Sequence, residues 1–266
     1  MINYQKDIDN FIEVVSKDKD IDLTTFYKNL ETLKIGLGTD DLFNMGYDNL
    51  NNQIFFNDEE TYYNSINHEL FHVASNKIVG DVIYSGFYQW NKNTKTVIGL
   101  GLNEGYTELL QRRYFNKENG YSIQKLYIEQ LEQIIDPLIL KKAYFASDLN
   151  MIIKELEKYS KKEEIIKFIN SLDIYTFTIN KNLKNKPYSY EQVQEAITYC
   201  SCFLANTYIQ KVIKEKQPNI KNKVFNYLSN FDKRFRFQDY QEINMAIPLE
   251  KEFEILEKNG FKRKQG

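Results

Sequence analysis

The chain contains two histidines, and both lie within the five residues His68-Glu69-Leu70-Phe71-His72. That window sits inside a helical pattern, because Tyr62, Ile66, Leu70, Val73 and Ala74 recur at three- and four-residue steps. Asn57-Asp58-Glu59-Glu60 reads as a capping box in which Asn57 covers free N–H groups and Glu60 reaches back. Gly80 is placed to end the helix. Residues four apart on a helix share a face, with Cβ atoms about 5–6 Å apart. Both imidazoles therefore stand together on a face rotated away from the apolar stripe. The fold must bury that stripe and present the histidines on another side.

The flanking sequence supplies candidate partners. Two helical patterns occupy the first forty residues, one through Tyr4, Ile8, Phe11, Ile12 and Val15, the other through Leu23, Phe26, Tyr27, Leu30 and Leu33. A turn-rich stretch from residue 41 ends in the short apolar run Ile54-Phe55-Phe56, which suits a strand. Between Asp81 and Leu100, β-branched and aromatic residues on either side of Asn91-Lys92-Asn93-Thr94-Lys95 predict a hairpin. A helix over 103–115 follows, with Tyr106, Leu109, Leu110 and Tyr114 inward. Beyond Gly120 the pattern is helical over 122–135, 137–158, 161–171, 190–214 and 219–230, with 180–187 as an exposed connection. The expected fold is α+β and mostly helical. A small antiparallel sheet and the His68–His72 helix form an N-terminal lobe over 1–120, and a helical C-terminal lobe over 121–266 closes a cleft.

Composition narrows the function classes. With 266 residues and 42% hydrophobic content, the chain can bury a sizeable core. Its 35 Lys and Arg against 37 Asp and Glu give no electrostatic reason to expect a nucleic acid or an acidic membrane. The N-terminus lacks a basic region followed by an apolar run, and no stretch approaches the roughly 18 apolar residues of a membrane span; the expectation is a cytoplasmic protein. Cys200 and Cys202 are two apart in a helical pattern and point to different faces, so they read as small buried hydrophobes rather than a disulfide.

His-Glu-x-x-His on a helix is chemically specific. Two neutral imidazoles on one face can bind a single zinc ion at about 2.0–2.1 Å, while the intervening Glu points to where a water on the metal would sit. Two histidines placed at random in a chain this long take this spacing, with Glu after the first, in roughly one case in a thousand. A hydrolytic zinc site needs a third protein ligand, and no histidine remains to supply it. Leu102-Asn103-Glu104-Gly105-Tyr106-Thr107-Glu108 offers two carboxylates four apart on a helix. One can bind the metal while the other accepts a hydrogen bond from a ligand histidine; either order satisfies the spacing.

His-Glu-x-x-His followed on a later helix by Asn-Glu-x-x-x-Glu resembles the gluzincin zinc metallopeptidases, the thermolysin-like group, whose second motif ends in Asp. The resemblance covers residues 54–115. It implies one Zn2+ per chain held by His68, His72 and Glu104, with Glu69 as general base and Glu108 orienting a ligand histidine. It also implies a peptide or protein substrate, hydrolysed by a metal-activated water. Thermolysin-like enzymes steady the oxyanion with a further His and a Tyr; this chain has no further His, and Tyr84, Tyr88, Tyr106, Arg112 and Arg113 are the nearest donors in sequence. The 54–56 strand, preceding the metal helix, is expected to pair with an extended peptide by β-addition. A competing expectation is a zinc-bound interaction or regulatory protein that does not turn over; Glu69 argues against it, since a purely structural zinc has no use for a base.

Overall fold

The computed structural model describes residues 2–37, 46–118, 120–179, 188–220, 222–224 and 226–227. Two helices open the chain, α1 (Tyr4–Val15) and α2 (Thr24–Leu30), followed by strands β1 (Lys34–Leu37), β2 (Gly46–Asp48) and β3 (Gln53–Phe56). Helix α3 (Glu59–Ser75) carries both histidines and runs directly into β4 (Asn76–Val79), β5 (Val82–Ser85), β6 (Tyr88–Asn91) and β7 (Val97–Ile98). The remainder is helical: α4 (Leu100–Phe115), α5 (Ser122–Leu131), α6 (Pro137–Phe145), α7 (Leu149–Leu156), α8 (Lys162–Ile179) and α9 (Tyr190–Lys214). The fold is thus α+β and mostly helical, as the sequence predicts. One hydrophobic core runs from Phe11 to Tyr227, so residues on both sides of position 120 share it. Among the described residues no helix is long and apolar enough to cross a membrane.

Helix α3 is the central element. Its stripe of Tyr62, Ile66, Leu70, Val73 and Ala74 is fully buried, but the histidine face is enclosed as well, with His68 2%, Glu69 5% and His72 6% exposed. The histidine face is covered as well as the stripe because α1, α2, α4, α6 and strands of both sheets all pack against this helix. Its cap lies one residue later than expected. Asp58, not Asn57, accepts the Thr61 N–H, at 2.7 Å.

The helix also ends earlier, at Ser75, where Asn76 turns extended with φ −81° and ψ 126°. The Asn29 side-chain amide, arriving from α2, donates to the carbonyls of Val73 and Asn76 at 2.8 Å each. It thus adds a second donor at the Val73 carbonyl, which already accepts the Asn76 N–H, and so fixes the helix end. Gly80, with φ +56°, serves the turn between β4 and β5 rather than the helix end. The expected hairpin accordingly becomes a four-stranded antiparallel meander, β4-β5-β6-β7.

The second sheet has the order β1-β3-β2, with β1 parallel and β2 antiparallel to β3. Strand β3, which contains Ile54-Phe55-Phe56, is thereby paired on both sides. It offers no free edge to a peptide, and the expectation of β-addition at 54–56 is overturned; β2 is the strand of this sheet that borders α3 and pairs on one side only among the described residues. Further on, the expected 137–158 helix divides at Ser147, whose φ of +51° breaks the helical run, and Asp148 caps α7 through the Asn150 N–H. Helix α8 continues to Ile179 rather than 171. Cys200 is buried and Cys202 half-buried, and neither forms a disulfide. The expected connection at 180–187 lies outside the described residues.

Two carboxylates, the buried Asp173 and the half-buried Asp18, hold α4, the neighbour of α3. Gly99, with φ +84°, has no side chain with which to cap this helix. The role falls to Asp173 of α8, which accepts the N–H groups of Gly99 and Gly101 at 2.8 and 2.7 Å. Burial raises the Asp173 carboxyl to about 6 against the pull of these N–H groups. Gly101 is required beside it, because a Cβ there would lie 2.6 Å from the Leu172 side chain and 2.7 Å from the Leu172 carbonyl oxygen. Replacing Asp173 with Ala leaves the first N–H groups of α4 without acceptors, and a loss of about 2 kcal/mol is expected in urea unfolding.

At the other end of α4, Asp18 accepts from the Tyr114 hydroxyl and from Lys141 of α6, each at 2.5 Å. Burial raises its carboxyl, but the bonds from Lys141, Tyr114 and the Asp20 N–H outweigh this and hold it below its ordinary 3.8. A depressed carboxylate stabilises the fold above its unfolded pKa and loses that contribution as pH falls through the folded value. Asp18→Asn is therefore expected to lower the thermal midpoint at pH 7, by a margin that shrinks as the pH is taken progressively below 3.8.

Candidate metal centre

The i,i+4 spacing places His68 and His72 on one face of α3, with ring centroids 4.9 Å apart. Helix α4 crosses that face and delivers Glu104 between them. Glu104 Oε2 lies 3.1 Å from His68 Nε2 and 3.5 Å from His72 Nε2. The ligand atoms of His68, His72 and Glu104 all lie within 4.8 Å of one another. Donors around a tetrahedral metal at bond lengths of about 2.0–2.1 Å are separated by roughly 3.3–3.4 Å. The Glu104–histidine distances bracket that value, so the three side chains can hold a metal ion.

The outer nitrogens of both rings are also engaged. His68 Nδ1 faces Glu108 Oε2 at 3.5 Å, and Glu108 is 1% exposed. One helical turn separates Glu104 from Glu108, and the geometry thereby assigns the first to the inner nitrogens and the second to the outer one. His72 Nδ1 lies 3.2 Å from Asn103 Nδ2, while Asn103 Oδ1 accepts the Phe87 N–H at 3.2 Å. That bridge depends on Gly86, whose φ is +55° and where a Cβ would lie 2.2 Å from Asn103 Oδ1. The sheet turn between β5 and β6 thus locks Asn103, and Asn103 steadies His72. Asn103 directly precedes Glu104, and that adjacency is the signal in the sequence that marks it.

The electrostatics follow from burying several carboxylates with two imidazoles. Burial opposes a charged His68, but hydrogen bonds to Glu104 and Glu108 and the nearby Glu69 outweigh it and raise its pKa. Burial also disfavours the Glu104 anion, yet the two histidines hold its carboxyl far below the usual range. Glu69 behaves oppositely. Burial raises its carboxyl above the ordinary value despite His68 and His72, and the Tyr47 backbone N–H from β2 donates to it. Glu69 is therefore a buried carboxyl next to the three donors, with no place among them, and β2 touches it directly.

No protein family, curated protein or solved structure matches this chain. The reading of the site therefore rests on its own geometry.

Of the donors nearest in sequence, the two arginines are paired elsewhere, and Tyr106 and Tyr84 pack their rings in other contacts. Tyr106 is fully buried among Phe87 and Tyr144. Tyr84 lies under the Lys77 ammonium, Arg112 pairs with Glu118 and Arg113 pairs with Glu132. Tyr88 is half-buried and feels the Glu104 charge; burial first, then Asp173 and Glu104, push its hydroxyl up to about 12. A tyrosine that sequence order did not single out, Tyr121, stacks on His68 at 5.5 Å between ring centroids.

Groups that orient metal-binding side chains typically contribute 10- to 100-fold in metal affinity. Glu108→Gln is expected to weaken metal binding by about tenfold or more in a chelator competition, with the fold retained by circular dichroism.

Proposed function

We propose that this protein is a zinc-dependent metallopeptidase of gluzincin type, with His68, His72 and Glu104 as zinc ligands and Glu69 as general base. The observation that carries this reading is the set of three donors within 4.8 Å of one another, Glu104 lying 3.1 and 3.5 Å from the two histidines, beside the separate Glu69 carboxyl that the metal does not need. Two imidazoles and one carboxylate suit zinc, and they leave a coordination position for reaction, unlike the closed four-ligand set of a structural site. Zinc bound there supplies a charge that polarises a carbonyl oxygen and makes a water molecule acidic enough to lose its proton near neutrality.

The chain's own residues do the rest. Glu69, raised by burial, receives the proton of the attacking water and passes it to the leaving amine. Glu108 faces the outer nitrogen of His68 and can accept its proton, so that the inner nitrogen stays aimed at Glu104. An extended peptide is the substrate that suits this layout. It adds to β2, whose backbone at Tyr47 reaches the Glu69 carboxylate, in place of the inaccessible β3.

Glu69→Gln tests the reading, since it keeps the side-chain shape and removes the base. The expected result is about one zinc retained per chain with peptide hydrolysis reduced by about 10²- to 10⁴-fold. Chelation of wild type abolishes cleavage, and zinc restores it. Equal cleavage by both proteins overturns the assignment of the base; zinc retained with no cleavage of any peptide library by wild type favours a zinc-bound interaction protein.

A further inference from the structure

The loop between α4 and α5 returns the chain to the metal centre. Helix α4 ends at Asn116, in the left-handed region with φ +54°, and α5 begins after Gly120, whose φ of +106° suits glycine. Tyr121 is the residue that follows, and it sits at the N-cap of α5. Its ring lies nearly parallel to the His68 imidazole, with 5.5 Å between centroids and 19° between planes. Its hydroxyl lies near enough to the Glu104 carboxylate that this charge is the foremost influence raising it. One side chain therefore stacks on one of the three metal-binding residues, on α3, and lies beside another, on α4.

Packing beside Glu104 accounts for this reach. Gly105 presses against α5 so closely that a Cβ there would lie 2.6 Å from both the carbonyl carbon and the carbonyl oxygen of Gln124. Backbone cannot yield as a flexible side chain can, so only glycine permits the first turn of α5 to approach α4 at this level. Gly105 adjoins the ligand, and Gln124 lies three residues beyond Tyr121. Glu118 ties the same loop to both helices through Arg112 of α4 and Lys125 of α5. Tyr121 is thus delivered by a close helix contact and a clamped loop.

We propose that Tyr121 is a positioning residue of the metal centre, its hydroxyl restraining the Glu104 carboxylate and its ring covering His68. A free carboxylate turns about its terminal bond and can offer a metal one oxygen or two. A phenol donating to it limits that rotation and keeps Oε2 presented to the histidine nitrogens it already faces. The stacked ring in turn blocks tilting of the imidazole on the side away from α3. The inference rests on the metal-binding reading above, but not on any catalytic activity.

The test measures metal directly on the full chain. Zn2+ affinity is determined by chelator competition for wild type, Tyr121→Phe, Tyr121→Leu and Gly105→Ala, and Co2+ absorption spectra are recorded for the same proteins. Tyr121→Phe keeps the ring and removes only the hydroxyl; it is expected to bind Zn2+ about tenfold more weakly, with an altered Co2+ spectrum and an unchanged thermal midpoint without metal. Tyr121→Leu removes the stack as well and should bind more weakly still. Gly105→Ala, which displaces α5 and with it the Tyr121 ring and hydroxyl together, should reproduce the Tyr121→Leu spectrum. A Tyr121→Phe affinity within twofold of wild type, with an identical Co2+ spectrum, overturns the proposal while leaving the metal centre intact. Failure of wild type itself to bind Zn2+ or Co2+ removes the metal reading and this inference together.

Discussion

Burial of charge between α3 and α4 is the constraint on which the architecture turns. His68, Glu69, His72 and Glu108 are all nearly excluded from solvent, and Glu104 joins them with its side chain 12% exposed. Removing ionised groups from water costs several kcal/mol each unless partners compensate. Here three carboxylates face two imidazoles, so a proton on His68 meets only part of the negative charge, and a divalent cation among the inner donors meets more of it. Everything around the pair of helices serves to keep these groups fixed and dry.

That enclosure explains why both sheets and several helices converge on α3. The β4–β7 meander begins where α3 ends and returns through Gly86 to hold Asn103. The smaller sheet brings β2 against Glu69. From the other side α8 caps α4 with Asp173, and α5 approaches near enough at Gly105 for Tyr121 to reach Glu104. Glycines recur at the points where backbone must pass close to the site: Gly86, Gly101 and Gly105 each adjoin atoms that a Cβ would strike. A polar site this rigid demands close approach, and close approach excludes side chains at the crossing points.

Local features of the chain were legible from residue order. The α3 stripe, the α4 inner face and the 190–214 helix follow from apolar spacing, because a period of 3.6 residues is a short-range property. The less legible parts depend on neighbours. Asn76–Val79 looks like a continuation of α3, yet Asn29, 44 and 47 residues upstream of its acceptors, closes the helix and frees β4. The place of β3 in the middle of its sheet is set by β1 and β2, neither of which marks the 54–56 run as interior. Ser147 broke the expected 137–158 helix through a left-handed backbone that serine spacing does not announce.

Residue order alone settled that two imidazoles and an adjacent carboxyl share a small region of one helix, since four residues make about one turn whatever surrounds them. It also required any third donor to come from a residue other than histidine. Only the tertiary structure separated Glu104 from Glu108, for both stand on the same face of α4 and their roles depend on how that helix crosses α3. It likewise selected Tyr121 from 20 tyrosines, because its place over His68 results from a helix contact at Gly105 and a loop turn at Gly120, and long-range approach of this kind leaves no periodic trace in a sequence.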